Sequence, residues 1–285
     1  MSWIASVFGQ EKPIIGMVHL LPLPGSPLYD NQRGMEAIVE AAAKDVEALQ
    51  SGGIDAVMFC NENDRPYVID SESETVAAMS YVIGRVRPEI RVPFGVDILW
   101  DPIAAISVAH AVSASFVREV FTGTYASDMG WWVPQAGAAL RHRRNLGAND
   151  VHLLFNINAE FASSIDQRAL VDVARSVAFS SLPDALCVSG MMTGVGVDPN
   201  LLAAVRQAVN VPVFSNTGLT PDTVDEILRV ADGAIVGTAL KVNGVTFNPV
   251  DPRRVSRLMD AVHAARSHLR EEGLLHDWQS PERPR

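Results

Sequence analysis

Eight short apolar runs, each typical of a β-strand, alternate with helical patterns along the whole 285-residue chain. In order they are PIIGMVHL (from residue 13), IDAVMFC (54), VPFGVDIL (92), SFVREVF (115), DVHLLFNI (150), DALCVSG (184), VPVFSNTG (211) and GAIVGT (233). Most positions in each run are apolar, which is the pattern of strands covered on both faces in a parallel sheet. Eight strand–helix units in a chain of this length predict an α/β fold, a single (β/α)8 TIM barrel.

Amphipathic segments between the runs carry helix start and stop signals. Apolar residues recur at helical spacing in Met35–Gly53, which ends at a glycine stop. Three further segments begin with a capping residue followed by proline, which favours the first turn of a helix. They are Asp198–Asn210, Thr220–Gly233 and Asp251–Leu269.

The main alternative architecture is an open doubly wound sheet. No glycine-rich dinucleotide fingerprint follows the first run, which disfavours that fold. The chain shows no linker and no shift in composition, so we expect one domain over residues 1–285. The tail from Glu271 onward is polar and contains proline, and we expect it to be loosely ordered.

Charge and composition narrow the classes of function. The net charge is −10 and RHRR (residues 141–144) is the one basic cluster of note, which argues against nucleic-acid binding and indicates a solvated helix end. Cys60 and Cys187 are isolated, so they predict neither a disulfide framework nor a metal motif, and we expect both in the core. No secretory signal or membrane-spanning run is recognisable, so we expect a cytoplasmic protein.

Polar residues end the apolar runs, and in a TIM barrel the active site lies at the carboxyl ends of the strands. From them we predict a catalytic set of His19, Asp97, Arg118, Glu119 and Asn158. The other strand-end candidates include Asn61, Glu62, Asp101, Thr122, Asn156, Glu160 and Thr217. The proline-rich segment after His19 is long enough to be functional, and we expect it to pack over the barrel mouth.

Each catalytic candidate has a plainer interpretation. His19 is a general acid/base or metal ligand, or a structural histidine. Asp97 is a base or metal ligand, or the ion-pair partner of Arg118, because a buried carboxylate needs a partner. Neighbouring strand residues face opposite sides, so at most one of Arg118 and Glu119 lines the mouth, and we favour Arg118 as an anion clamp.

His19 and Asp97 are predicted to form one constellation, since strands one and three contribute to the same layer of a barrel. A nearby carboxylate would raise the imidazole pKa and fix its tautomer. Both residues would also suit a divalent metal such as zinc or manganese, although no compact ligand motif demands one.

Small polar residues and glycines after the last strands predict a phosphate site. Small residues let backbone N–H groups approach an anion, and barrels commonly hold phosphate between the last two loops. The predicted phosphate-binding residues are Ser189, Thr193, Gly194, Ser215, Asn216, Gly218, Gly237 and Thr238. The plainer interpretation is that these glycines make tight turns.

Lysine and tryptophan placement bears on mechanism and assembly. The lysines are Lys12, Lys44 and Lys241, and none is expected inside the mouth, which disfavours a Schiff-base aldolase. The pair Trp131–Trp132 follows an ordered-looking fourth loop. It would form either an aromatic wall for a ligand or a subunit contact, and we expect a homo-oligomer.

Three stretches resemble the BtpA family, which includes SgcQ-like members, and the similarity extends over residues 13–269. They are KPIIGMVHLLPLPGSP, FTGTYASDMG and SNTGLTPDTVDEIL with the following ADGAIVGTALKVNGVTFNPVDPRRV. The resemblance implies a TIM-barrel-like fold; the family is named for photosystem I accumulation, and its SgcQ-like members are associated with sugar-metabolism operons. ADGAIVGTALK is also similar to the phosphate-binding ends of tryptophan-biosynthesis barrels.

The chain departs from the family pattern after the fifth run. Members often carry a segment similar to DVHVKHA, where this chain has NINAEFA (residues 156–162), and Asp97 stands where asparagine is frequent. Two functions remain open. One is an isomerase, lyase or hydrolase acting on a small phosphorylated sugar or nucleoside derivative. The other is a non-catalytic assembly or regulatory factor, as the family name suggests.

Overall fold

A computed structural model describes residues 3–190, 194 and 196–275. Its strands, in chain order, are β1 (Ile14–His19), β2 (Ala56–Cys60), β3 (Phe94–Asp97), β4 (Phe116–Glu119), β5 (Tyr125–Ser127), β6 (Gly130–Trp132), β7 (His152–Asn156), β8 (Ala162–Ser164), β9 (Ala185–Val188), β10 (Val213–Ser215) and β11 (Gly233–Val236). Eight of them form a closed parallel barrel in the order β1-β2-β3-β4-β7-β9-β10-β11, with β11 pairing back onto β1. The predicted TIM barrel and all eight predicted strands are confirmed.

The helices of the described residues, in chain order, are α1 (Trp3–Phe8), α2 (Gly34–Ser51), α3 (Ser73–Val86), α4 (Pro102–Val112), α5 (Ala136–Leu146), α6 (Leu170–Ser180), α7 (Pro199–Ala208), α8 (Val224–Val230) and α9 (Pro252–Glu271). Short 3-10 turns cover residues 87–89, 238–240 and 242–244. None of the described helices is long and apolar enough to cross a membrane. Most of the tail expected to be loosely ordered, residues 276–285, lies outside the described residues.

Two of the three predicted proline-led helix starts are confirmed and one is wrong. The Asp198 and Asp251 side chains accept hydrogen bonds from the backbone N–H groups of Asn200 and Arg253. Thr220 does not cap α8, because its own backbone N–H donates to the Thr223 hydroxyl and closes a turn. As a result α8 begins only at Val224.

Along each strand, side chains point alternately into the barrel interior and outward to the layer under the helices. Ile15, Met17, Phe116 and Phe214 belong to the cluster that fills the barrel. Gly95 makes room there, because a Cβ at that position would lie 2.2 Å from the Phe116 ring. The same alternation turns the polar ends of the strands inward, so that they form the floor and walls of the mouth.

Helix α1 closes the opposite end of the barrel. Phe8 packs against the interior residue Phe116, with ring centroids 5.4 Å apart. The Trp3 indole N–H donates to the Asp184 backbone carbonyl at 3.0 Å and fixes the helix across the barrel's amino-terminal end. The polar strand ends therefore lie at the barrel's other end.

A small antiparallel sheet, in the order β6-β5-β8, stands beside the mouth. Its strands β5 and β6 come from the loop after β4, which the sequence indicated to be ordered, and β8 comes from the loop after β7. Trp132 is buried and packs against Trp100 and Tyr125, each with ring centroids 5.1 Å away, whereas Trp131 is 71% exposed. The two tryptophans thus have different surroundings: Trp132 is a packing residue of this sheet, and Trp131 is exposed to solvent. The homo-oligomer stays a prediction.

Candidate functional site

A cleft, partly open to solvent, lies at the carboxyl ends of the barrel strands. Its polar or charged lining comes from strands and loops all around the barrel. The lining residues that bear on chemistry are His19, Glu62, Arg118, Glu160, Gly194, Asn216, Thr217, Gly218, Gly237 and Thr238. Trp100 and Phe161 add an aromatic wall.

His19 ends β1 and lines this cleft as a neutral imidazole. Its Nδ1 lies 3.3 Å from the Thr246 carbonyl oxygen, which can only accept, so Nδ1 carries the proton and Nε2 has a free lone pair. Burial, and then the charges of Lys241 and Arg118, lower the His19 pKa to about 3. The prediction that a neighbouring carboxylate raises this pKa is therefore wrong, because burial dominates.

The Nε2 atom of His19 lies beside Gly237. A Cβ at position 237 would lie 3.1 Å from Cε1 and 3.3 Å from Nε2 of His19. Only glycine therefore leaves the imidazole edge open at this point. The arrangement lets Nε2 accept a hydrogen bond from a group bound against Gly237.

Asp97 and Arg118 form a buried ion pair. The Arg118 Nη2 and Asp97 Oδ2 atoms are 2.8 Å apart, and Asp97 is fully buried beneath the cleft. The sequence left Asp97 as either a base or metal ligand or the ion-pair partner of Arg118, and the structure shows the ion pair. Arg118 is held by this pair so that it lines the cleft.

Glu119 has the alternate strand position and lies away from the cleft lining. Its Oε2 accepts from the Val120 backbone N–H at 2.7 Å. Burial, and then the charge of Asp97 and a hydrogen bond to it, raise the Glu119 pKa well above its usual value. A neutral Glu119 that donates to Asp97 gives both buried carboxyl groups a partner, which makes Glu119 a positioning residue for the Asp97–Arg118 pair.

Glu62 and Glu160 were strand-end residues that the predicted catalytic set left out. Glu62, in the loop after β2, is 8% exposed, and the Cys60 thiol lies 3.9 Å from its Oε2. Burial, followed by the charges of Glu160 and Asp97, raises the Glu62 pKa to about 7. Asn216 Nδ2 donates to Glu160 Oε1 at 3.4 Å.

The predicted phosphate residues divide into two groups. Gly194, Asn216, Gly218, Gly237 and Thr238 line the cleft together. Gly194 and Gly218 adopt backbone φ values of +84° and +69°, which residues other than glycine rarely adopt.

The remaining predicted residues lie behind or beyond this group. Ser189 lies behind Asn216, whose Nδ2 donates to its Oγ at 2.8 Å. The Asn158 side chain makes two hydrogen bonds to the Ser189 backbone, donating through Nδ2 to the carbonyl oxygen and accepting through Oδ1 from the N–H group. Asn158 therefore positions Ser189 and does not line the cleft. Ser215 follows the interior residue Phe214 and takes the outward position. Thr193 lies outside the described residues.

Other reactive side chains near the mouth have structural partners. Lys241 is fully buried and its Nζ lies 2.9 Å from Asp45 Oδ2, so it anchors the loop after β11 to α2. Cys60 and Cys187 are core residues as predicted, and burial raises the pKa of Cys187 to about 12. Within the described ranges, no group of three or more His, Cys, Asp or Glu side chains is arranged to hold a metal ion.

Comparison with solved structures gives the same fold. The chain matches (S)-3-O-geranylgeranylglyceryl phosphate synthase from Thermoplasma acidophilum, solved with its substrate sn-glycerol-1-phosphate, with a TM-score of 0.57. The match covers 91% of this chain and 96% of that one at 15% sequence identity. At that identity the similarity shows the barrel fold alone.

Sequence comparison gives much nearer relatives. The chain is 46% identical over 267 residues to the sgc region protein SgcQ of Escherichia coli (strain K12), covering 93% of this chain and all of that protein. It is 32% identical to the photosystem I biogenesis protein BtpA of Synechocystis, covering 90% and 89% of the two chains. The BtpA family model matches residues 10–264. The chain therefore belongs to the BtpA family.

Proposed function

We propose that this protein is an enzyme acting on a small phosphorylated metabolite, a sugar or nucleoside derivative, by acid–base chemistry. The observation that carries the proposal is one cleft in which a glycine-rich wall faces a neutral histidine and a buried carboxylic acid. Among the described residues, polar and charged groups line this mouth together with apolar side chains such as Trp100 and Phe161, which supports an enzyme over a scaffold.

The phosphate would lie against Gly194, Gly218, Gly237 and Thr238. Glycines allow backbone N–H groups to approach an anion, and this position between the last barrel loops is where TIM barrels commonly bind phosphate. A barrel of the same fold, the Thermoplasma synthase, was solved with a phosphate ester as substrate. This likeness in fold supports the proposal by analogy.

Two side chains of the cleft have complementary protonation states near neutral pH. Glu62, whose pKa of about 7 leaves it partly ionised near neutral pH, would accept a proton from the substrate and return it, while His19 Nε2 would accept a hydrogen bond from a substrate hydroxyl group. Such a pair suits isomerisation, elimination or hydrolysis, because each reaction removes one proton and supplies another. Arg118 would orient the substrate from the opposite wall.

A thermal-shift panel of phosphate monoesters and inorganic phosphate tests the binding step. Wild-type protein should be stabilised by inorganic phosphate and more strongly by its substrate, whereas Gly237→Val should lose the response because its side chain fills the space beside His19. Thr238→Val serves as a second variant if Gly237→Val folds poorly. Gly84→Ala is the matched control, because a Cβ there meets nothing within 4 Å.

Turnover of any ester that binds should be followed by phosphorus NMR. His19→Asn and Glu62→Gln should each lower the rate by about 10²-fold or more, the usual scale for a positioned acid or base. If no phosphate compound stabilises the wild type, or if Gly237→Val responds as wild type does, the proposal is wrong.

A further inference from the structure

The His19 ring presents to the cleft an edge that accepts hydrogen bonds and does not donate them. Its Nδ1 atom lies 3.3 Å from the Thr246 carbonyl oxygen, which can only accept, so the ring proton is on Nδ1. This carbonyl is the hydrogen-bond partner of the ring among the described residues, and the Nε2 atom carries a lone pair. A ligand group that meets this edge must therefore bring a hydrogen of its own.

The loop that carries Thr246 is fixed at its base and at its tip. At the base, the Asp45 carboxylate lies 2.9 Å from Lys241 Nζ and accepts from the Val250 backbone N–H at 2.8 Å. At the tip, the Thr246 and Thr238 hydroxyl groups form a hydrogen bond of 2.8 Å. These contacts hold the Thr246 carbonyl against Nδ1, and with it the tautomer in which Nε2 is an acceptor.

The charges around His19 oppose a second proton on its ring. Burial, and then the cations Lys241 and Arg118, lower its pKa to about 3. The charged or titratable groups on the strands and loops around the ring are Cys60, Glu62, Arg118, Glu160 and Lys241. The ring therefore stays neutral at neutral pH and does not attract a bare anion.

Gly237 brings the acceptor edge against the proposed phosphate position. A Cβ at residue 237 would lie 3.1 Å from Cε1 and 3.3 Å from Nε2 of His19. A phosphate oxygen that rests on Gly237 therefore meets the Nε2 lone pair. An oxygen without a hydrogen is repelled there because two acceptors face each other, whereas a P–OH group donates to Nε2.

We infer that the cleft binds phosphate groups that keep one proton, with the P–OH group donating to His19 Nε2, and that it excludes sulfate, which carries no proton at neutral pH. The inference rests on the proposed phosphate site, and it identifies the hydroxyl group from which His19 accepts as one on phosphorus. Phosphate monoesters lose their last proton with a pKa of about 6, whereas the inorganic phosphate dianion still carries one. Above that pH an ester therefore takes up a proton when it binds.

Titration calorimetry with inorganic phosphate, methyl phosphate and sulfate, from pH 6 to pH 8, tests this selection. Sulfate should bind about tenfold or more weakly than inorganic phosphate at every pH. From pH 6 to pH 8 the affinity for methyl phosphate should fall about fivefold or more relative to that for inorganic phosphate; ionisation of the protein acts on both ligands and cancels in this ratio. At pH 7.5, in two buffers of different ionisation enthalpy, methyl phosphate should take up more protons than inorganic phosphate does.

An amide in place of the imidazole should reverse the preference, because its N–H group donates where Nε2 accepts. His19→Gln should therefore raise the affinity for sulfate about tenfold or more and remove the difference in proton uptake, and His19→Asn repeats the test if that variant folds poorly. The matched control is His110→Gln at an exposed position of α4, which should keep the preference of the wild type.

Three results would overturn the inference and leave the proposed function standing. They are equal affinity of the wild type for sulfate and phosphate, sulfate binding accompanied by proton uptake onto the imidazole, and unchanged sulfate affinity in both amide variants. If inorganic phosphate and methyl phosphate both fail to bind, the proposed function itself fails, and the inference with it.

Discussion

Replacing Glu62 by glutamine should remove a loss of stability that the wild-type protein suffers as the pH rises. In the folded protein the pKa of Glu62 is raised from 4.5 to about 7, first by burial and then by Glu160. In the unfolded chain neither cause acts. Between pH 4.5 and 7 the folded protein therefore keeps a proton that the unfolded chain releases, and the free energy of unfolding falls with rising pH.

The size of this loss follows from the two pKa values. At about 1.4 kcal/mol per pKa unit, the difference corresponds to about 3 kcal/mol once the pH exceeds 7. Glu62 is 8% exposed, so screening by solvent takes little from that figure. Glutamine keeps the shape of the neutral acid and has no proton to lose. Between pH 4.5 and 8, the free energy of unfolding of Glu62→Gln should therefore rise by about 3 kcal/mol relative to that of wild type.

Urea unfolding followed by tryptophan fluorescence, at half-unit steps from pH 4.5 to 8, measures this difference. Ionisable groups shared by the two proteins cancel when their profiles are subtracted. Glu160→Gln should weaken the pH dependence of the wild type without removing it, because burial is the larger cause. Parallel profiles for wild type and Glu62→Gln would refute the reasoning.

Two further outcomes test the rest of the barrel mouth and its interior by the same unfolding measurements. His19 has a folded pKa of about 3, so the unfolded chain gains a proton on this residue first as the pH falls below 6.5. The free energy of unfolding of wild type should therefore fall by about 2 kcal/mol relative to His19→Asn between pH 6.5 and 4.5, and equal profiles would contradict this. Gly95→Ala should lower the free energy of unfolding by about 1–3 kcal/mol or more, because its Cβ would lie 2.2 Å from the Phe116 ring. Gly84→Ala, whose Cβ would meet nothing within 4 Å, should not lower it.

The barrel could be predicted from the sequence because its strands are uniformly apolar and regularly spaced. The β6-β5-β8 sheet could not, because its three-residue strands depend on contacts such as Trp132 with Trp100. The start of α8 was misplaced for a local reason. Thr220 and Thr223 bond to each other in a turn, and this competes with the capping that the Thr-Pro pair suggests.

The candidate site was predictable in position but not in electrostatics. Their positions at or just after strand ends predicted that His19, Arg118 and the loop glycines would lie in the same cleft, and they do. The protonation states depend on packing between distant segments: Thr246 fixes the His19 tautomer, and Glu160 acts on Glu62 from a different loop. A sequence pattern shows which residues end a strand, whereas burial and neighbouring charge decide which of them carry a proton.

The central claim is that the glycine wall of the cleft holds the phosphate of a ligand. A crystal structure of the protein grown with inorganic phosphate at millimolar concentration tests it most directly. We predict tetrahedral density bounded by Gly194, Gly218 and Gly237, within hydrogen-bond distance of backbone N–H groups and beside the His19 imidazole. Density for the anion elsewhere on the surface with this wall unoccupied, or phosphate bound through Arg118 after displacement of Asp97, would contradict the account.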